Sequence, residues 1–403
     1  MAELSNRGVQ LFGAGFIVTR VEAAELGLGR REGLEQHIRE YRNGKDLTNR
    51  PRDVLVIDLF GLTADKVRNR YPEVYQHVFT TVKPERDQNN RASRRERWWL
   101  FGETNPKLRK QLDGLPRYIA TVETSKHRFF QFLDASILPD NMLVAVAHDD
   151  AYVLGVLSSR IHVIWALALG GRLGVGNDPR YNKTRCFETF PFPDATEEQQ
   201  GAVRALAERL DAFRKERLAE HPALTMTALY NVLEDVRAGR ALSAKGKAVF
   251  EQGLVATLLS LHDDLDAAVA AAYGWVAGLP MQEILARLLE LNARRAQEEK
   301  AGMVRYLRSD YQDPRAVQQS GLGLAVAAPA VVEDEPLAFP GKLSEQAQLV
   351  RQVLQASARP LAVADLVNRF KGARRDRVEE IVEMLVELGQ VRQLGDREVA
   401  FAA

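Results

Sequence analysis

Hydrophobic and polar positions follow three different patterns along this chain. Up to about residue 194, short apolar runs bounded by polar loops predict strands at VLVIDLF (Val54 to Phe60), RYIATVET (Arg117 to Thr124) and MLVAVA (Met142 to Ala147). The charged stretch RREGLEQHIREYRNG reads as helix-like, and in YVLGVLSSRIHVIWALAL (Tyr152 to Leu169) apolar residues crowd almost every turn, which predicts one helix buried on most sides. From Thr196 to about Asp313 the period changes to 3.6, with Val203, Leu206, Leu210 and Phe213 on one face and Leu254, Leu258, Leu261 and Leu265 on another. Residues 314–341 mix Gly, Ala, Pro and acidic side chains with neither period, as a flexible linker does. Three further helical patterns and two short strands around Gly395-Asp396 then describe a small winged-helix-like domain. The expected architecture is α+β over 1–194, a helical bundle over 195–313, the linker, and the winged helix over 342–403.

The 403 residues suffice for several domains, each with its own core. A net charge of +1 excludes a simple polybasic protein, so anion binding has to come from local concentration of arginine and lysine. The single cysteine, Cys186, forms no internal disulfide and fits a reducing compartment. No apolar run is long enough to span a bilayer and MAELSNRGVQ is no signal peptide, so a cytoplasmic protein is expected.

Most candidate chemistry dissolves on inspection. LFGAGFIV (Leu11 to Val18) has the spacing of a cofactor turn, but the helix-like stretch after it leaves no second strand to complete the site, and GGRLGVG (Gly170 to Gly176) follows a helix pattern. No cofactor is therefore expected in this chain. His148-Asp149-Asp150 reads as a polar turn between strands and His262-Asp263-Asp264 as a solvated helix face, neither with a second histidine at metal-ligand spacing. No nucleophile motif appears.

Anion binding is better supported. KPERDQNNRASRRERWWLFGE (Lys83 to Glu103) sets Arg91, Arg94, Arg95 and Arg97 beside Trp98 and Trp99. Guanidinium groups suit phosphate oxygens and the guanine edge; a charged helix face whose tryptophans enter the core is the plainer alternative. YRNGKDLTNRPR contributes Arg50 and Arg52, and TSKHRFF contributes Lys126 and Arg128. NDPRYNKTRCFETFPFPD (Asn177 to Asp194) contributes Arg180, Tyr181, Asn182, Lys183 and Arg185, with Phe187, Phe190 and Phe192 expected to plug the junction with the bundle. Arg374, Arg375 and Arg377 open the third carboxy-terminal helix, as a reading helix or as a solvated helix end.

The ordered string YRNGKDL, IDLFGL, YPEVYQHV, VKPER, RRERWWLF, RYIATVETSKHRFFQFLD, LPDNMLVAVAHDDAYVLGVLSSRIHVIWAL and RYNKTRCFETFPFP resembles the region downstream of the catalytic domain in large site-specific adenine DNA methyltransferases, the Mme-type restriction-modification enzymes and the DISARM phage-defence methylase. The similarity runs over nearly the whole chain. It implies a target recognition domain that binds double-stranded DNA at the basic residues named above, followed by helices. The family's catalytic loop has the form (Asn/Asp)-Pro-Pro-(Tyr/Phe); this chain offers only Asn105-Pro106-Lys107-Leu108. The catalytic domain and its S-adenosylmethionine would then be supplied by a separate or fused partner. A protein-binding scaffold of a defence complex is the alternative.

Overall fold

The computed structural model describes residues 3–174, 178–313, 337–340, 343–356, 361–387, 391–394 and 398–401. They fall into two units, Met1–Ser320 and Gly321–Ala403.

In the larger unit the apolar runs build a four-stranded antiparallel sheet in the order Ser5–Arg7, Leu143–Val146, Arg117–Val122, Gln131–Asp134. Its two middle strands are buried almost without interruption, which is why their sequences are continuous apolar runs rather than alternating ones. A second sheet has the order Ile17–Val18, Leu55–Ile57, Ile38–Arg42, Leu138–Pro139, its last pair parallel. Strand Ile38–Arg42 lies inside the stretch expected to be helical. Only the single 3-10 turn Leu34–Gln36 precedes it, because Gly33 in the left-handed region (φ 78°) starts a turn that a strand pairing then ends.

The apolar stretch Tyr152–Leu169 is two helices, Ala151–Ser158 and Arg160–Leu169, bent by 62° at Ser159. Ser159 takes an extended backbone and its hydroxyl caps the second helix by accepting from the His162 N–H. Most of both helices is buried. No single helix among the described residues is long and apolar enough to cross a membrane.

Thr196 and Gln199 form a reciprocal capping box that starts helix Glu197–Glu220 just after the prolines. This helix packs closely on Ala151–Ser158 at Gly155, where a Cβ would lie 2.6 Å from Val203 Cγ1. The helices after residue 194 do not form a separate core. Phe132, Val146, Phe187, Phe190, Val203, Leu210, Leu258 and Leu265 belong to one buried cluster, with Phe192 packed at its margin. A second cluster, with Phe16, Val56, Val74, Val78, Trp98 and Phe101, lies between the second sheet and helices Ala64–Arg70 and Pro72–Thr81.

The two His-Asp-Asp runs also differ from expectation. Asp150 caps helix Ala151–Ser158, so the first run precedes a helix rather than joining strands. His262 is buried, its Nε2 3.0 Å from the Tyr230 hydroxyl, while Asp263 and Asp264 are exposed. Gly15, in the glycine-rich turn, lies against helix Pro72–Thr81, where a Cβ would approach Thr81 Oγ1 to 2.5 Å.

In the smaller unit, helices Leu343–Ala356, Val363–Asn368 and Arg375–Glu387 enclose Val350, Leu354, Leu366, Phe370, Val378, Ile381 and Leu385. An antiparallel sheet has the order Leu361–Ala362, Glu398–Phe401, Val391–Leu394. The turn at Gly395-Asp396 and most of the segment expected as a linker lie outside the described residues. Arg375 pairs with Glu379 at 2.8 Å and Arg377 with Glu380 at 2.6 Å.

Candidate nucleic-acid interface

Strand Arg117–Val122 leaves the central sheet into Glu123, whose carboxylate organises one corner of the larger unit. Glu123 is only 5% exposed. Its Oε2 accepts from Arg7 Nη2 at 2.8 Å, and its Oε1 accepts from Arg180 Nε and Nη2 at 3.1 and 2.9 Å. Arg180 ends a hairpin of strands Gly171–Leu173 and Asp178–Arg180. The hairpin is fixed to the sheet where Ser125 N–H donates to Pro179 O and Tyr181 N–H donates to Glu123 O. The basic loop around Arg50 and Arg52 reaches the same place, because Asn43 and Asp46 cap the short helix Gly44–Thr48 beside strand Arg117–Val122. Arg52 forks onto Asp46 with bonds of 2.9 and 2.8 Å. Although burial raises it, the Asp46 carboxyl lies below its ordinary value, because Arg52 and the backbone N–H groups of Asn43 and Arg52 outweigh burial.

Three of the basic loops expected from sequence thus meet at one corner, but their cations are not equivalent. Arg52 and Arg180 are neutralised by carboxylates, and Lys183 by Glu188 at 3.0 Å. Lys126 is exposed and donates to Asn231 Oδ1 at 2.5 Å, while Asn182 Oδ1 accepts from the Gly171 N–H at 2.9 Å. Arg50 and Arg185 are exposed, and no described hydrogen bond or ion pair engages their side chains.

Two expected DNA-facing residues turn inward instead. Arg128 is 9% exposed: its guanidinium donates to Thr121 Oγ1 at 3.0 Å, to Val122 O and to Pro179 O at 3.2 Å, tying the strand to the hairpin. Burial brings its pKa down to about 10, so it remains charged at neutral pH. Tyr181 is 1% exposed, its hydroxyl 2.9 Å from His162 Nε2 and its ring edge-on to Phe130. Burial, reinforced by Arg128, lowers the His162 pKa to about 3 and keeps that ring neutral. These side chains hold the corner together from within.

The second arginine group is built differently. Arg94 lies over the Phe12 ring at 3.6 Å and pairs with Glu103 at 3.4 Å. Arg95 donates to Asn89 O at 2.6 Å, and Arg91 lies 3.8 Å from Glu103. Arg97 is exposed, with no described side-chain hydrogen bond or ion pair. Beneath them Arg86 is 1% exposed and donates to Leu11 O and Leu100 O at 2.7 and 3.0 Å. Trp98 is buried, and Trp99 donates from Nε1 to Leu62 O at 2.9 Å. No described contact joins this group to the Glu123 corner.

Sequence reasoning missed Arg7, Glu123 and the exposed Arg172 of the hairpin. Glu123 and Arg7 lie 116 residues apart in the chain, and nothing local marks either. The Asn-Pro pair at 105–106 is a helix cap: Asn105 adopts a left-handed backbone, accepts from the Leu108 N–H at 3.2 Å and donates to Arg7 O at 2.5 Å. Among the described residues no group of three or more His, Cys, Asp or Glu is placed to hold a metal ion.

Comparison with known proteins agrees with this architecture. A 112-residue stretch is 31% identical to DNA methyltransferase A of Bacillus subtilis (strain 168), covering 27% of this chain and 12% of that protein. The fold is similar to that in the structure of the Type IIL restriction-modification enzyme MmeI in complex with DNA, with a TM-score of 0.54 and 20% identity over 73% of this chain and 35% of that one. The chain therefore spans a minor part of the length of each. The family described as "MmeI, target recognition domain" matches residues 10–194, a range that takes in the second sheet, three strands of the first sheet and, apart from Arg7, both arginine groups. Over residues 10–194 this chain is thus similar to the MmeI target recognition domain family.

Proposed function

We propose that this chain is the DNA sequence-recognition portion of a site-specific N6-adenine methyltransferase of a restriction-modification or phage-defence system. A catalytic domain supplied elsewhere binds S-adenosylmethionine and receives the extruded adenine. The observation that carries this reading is the match of residues 10–194 to a target recognition domain. The unpaired exposed guanidinium groups of Arg50, Arg97 and Arg185 fit it, since phosphate contacts need cations whose charge is not already neutralised. Arg52, forked onto both Asp46 oxygens, and Arg180, which donates twice to Glu123 Oε1, are oriented rather than free, and in this reading they present their remaining donors to base edges. The smaller unit is read as a winged helix that does not choose the target site.

The test is selection of binding sequences from a randomised duplex library by the full chain. Enrichment of one short motif, with affinity falling steeply as salt rises, is the expected result. Enrichment of no motif, together with affinity for duplex DNA that is insensitive to salt, overturns the proposal. A chain ending at Asp313 should select the same motif as the full chain.

A further inference from the structure

The helical part of the larger unit contains a recess of about 280 Å³ that the recognition loops do not use. Helix Val255–Ala272, the first turn of helix Arg160–Leu169 and the loop from Trp275 to Leu279 enclose it. Its wall is largely apolar, with Ile161, Ala267, Trp275, Leu279 and Ile284. Asp263, Asp266 and Arg160 interrupt this wall, and Asp266 is the less exposed of the two carboxylates. Asp266 Oδ1 accepts the Arg160 backbone N–H at 2.6 Å, and no other described donor reaches the carboxylate, which has room for about four hydrogen bonds.

The cations near Asp266 make their side-chain bonds with other groups. The Arg160 guanidinium donates to Leu279 O at 2.8 Å, and Arg237 lies 3.7 Å from Asp263 on the same helix as Asp266. Arg287 is held over the Trp275 ring at 5.7 Å and pairs with Glu283 at 2.7 Å. The recess therefore combines a largely apolar wall with a carboxylate that is short of donors and, among the described residues, has no cation in ion-pairing contact. A volume of about 280 Å³ corresponds to roughly nine water molecules, enough for a short hydrocarbon chain with a charged head.

We propose that this recess binds a protonated alkylamine or alkylguanidine, its cationic head on Asp266 and its hydrocarbon stem against Ile161, Ala267 and Trp275. The same chemistry is carried by a free small amine and by a lysine or arginine side chain of a partner protein. The inference is independent of the DNA-recognition reading. Burial, with Asp263 adding to it against the opposing Arg160 and Arg237, raises the Asp266 pKa to about 6. Binding of a cation consequently strengthens as pH rises through that value, while the amine and the surrounding arginines stay charged.

Isothermal titration of the full chain with n-pentylamine, n-pentanol and Nα-acetyl-lysine amide tests this. Pentylamine should bind at least about tenfold more tightly than pentanol, and should weaken about tenfold between roughly pH 7.5 and pH 5. Asp266→Asn keeps an oxygen for the Arg160 N–H but removes the charge, and should abolish the preference for the amine. Ala267→Leu should fill the recess and remove binding of both pentyl probes. Trp275 supplies a second readout, as an emission change on binding that Trp275→Phe eliminates. Binding of the capped lysine at strength comparable to pentylamine assigns the site to a partner's side chain; its exclusion assigns the site to a free amine. Equal binding of amine and alcohol, amine preference surviving in Asp266→Asn, or no binding of any probe overturns the proposal.

Discussion

The Glu123 corner and the arginine-rich helix Ala92–Glu96 use the same residue type for opposite ends. At the corner, Arg128 lies inside the fold donating to main-chain oxygens, and Arg7 and Arg180 share one buried carboxylate. Around the helix, Arg91 and Arg95 stay exposed with at most one partner apiece, Arg97 has no described side-chain hydrogen bond or ion pair, Arg94 packs on Phe12, and Arg86 beneath is enclosed. A guanidinium buried with its hydrogen bonds satisfied rigidifies the loops it joins. One exposed without a partner stabilises almost nothing and is free to meet a phosphate. The comparison therefore separates arginines that shape an interface from arginines that are free to meet a phosphate.

The sharpest way to break this distinction is Arg128→Met. Removing the guanidinium takes one donor each from Val122 O, Pro179 O and Thr121 Oγ1 in a buried place, and should lower the unfolding free energy by about 3 kcal/mol in a denaturant titration. Unchanged stability with lost DNA affinity would show that the corner arginine contacts a ligand after all. Glu123→Gln comes next. It should cost about 2 kcal/mol, because two guanidinium groups lose a buried counter-charge, and should steepen the salt dependence of DNA binding as Arg7 and Arg180 are released.

Arg97→Ala and Arg185→Ala should leave stability within about 0.5 kcal/mol of the unaltered chain, yet each should make the salt slope shallower by about one unit. If both retain the full slope, the exposed arginines do not meet phosphates. The smallest effect concerns acid. Asp46 and Asp150 are both buried enough to raise their carboxyls, yet both lie below the ordinary value of 3.8: Arg52 and main-chain N–H groups outweigh burial at Asp46, and Arg204 and the Tyr152 N–H do so at Asp150. Their stabilisation is fully present above that ordinary value and is lost as pH falls through the lower folded values. Asp46→Asn should therefore narrow the gap in stability between neutral and strongly acidic solution, measured by circular dichroism, and do so independently of any change at the arginine helix.

Much of the fold was legible in local pattern. The runs at Val54, Arg117 and Met142 contain strands Leu55–Ile57, Arg117–Val122 and Leu143–Val146, and the 3.6 period after Thr196 contains helices Glu197–Glu220 and Val255–Ala272. Two failures share a cause. Strand Ile38–Arg42 sits in a charged stretch because its partners on both sides, not its own composition, decide its state. The break at Ser159 escaped notice because apolar residues continue across it, and only the cap geometry and the Arg160–Asp266 contact reveal the bend. The three phenylalanines near residue 190 were legible as core by composition, whereas Tyr181, set among polar residues, was not.

By itself the sequence determined most of the segments that extend or coil and which loops carry basic residues, since these depend largely on neighbours a few positions away. Tertiary structure decided which basic residues face solvent. Glu123 meets Arg180 across 57 residues and Arg7 across 116, and Arg86 meets Leu11 across 75. A guanidinium gains hydrogen bonds equally well from water, phosphate or a buried carbonyl, so its type states what it can bind; its surroundings in three dimensions fix which of these it finds.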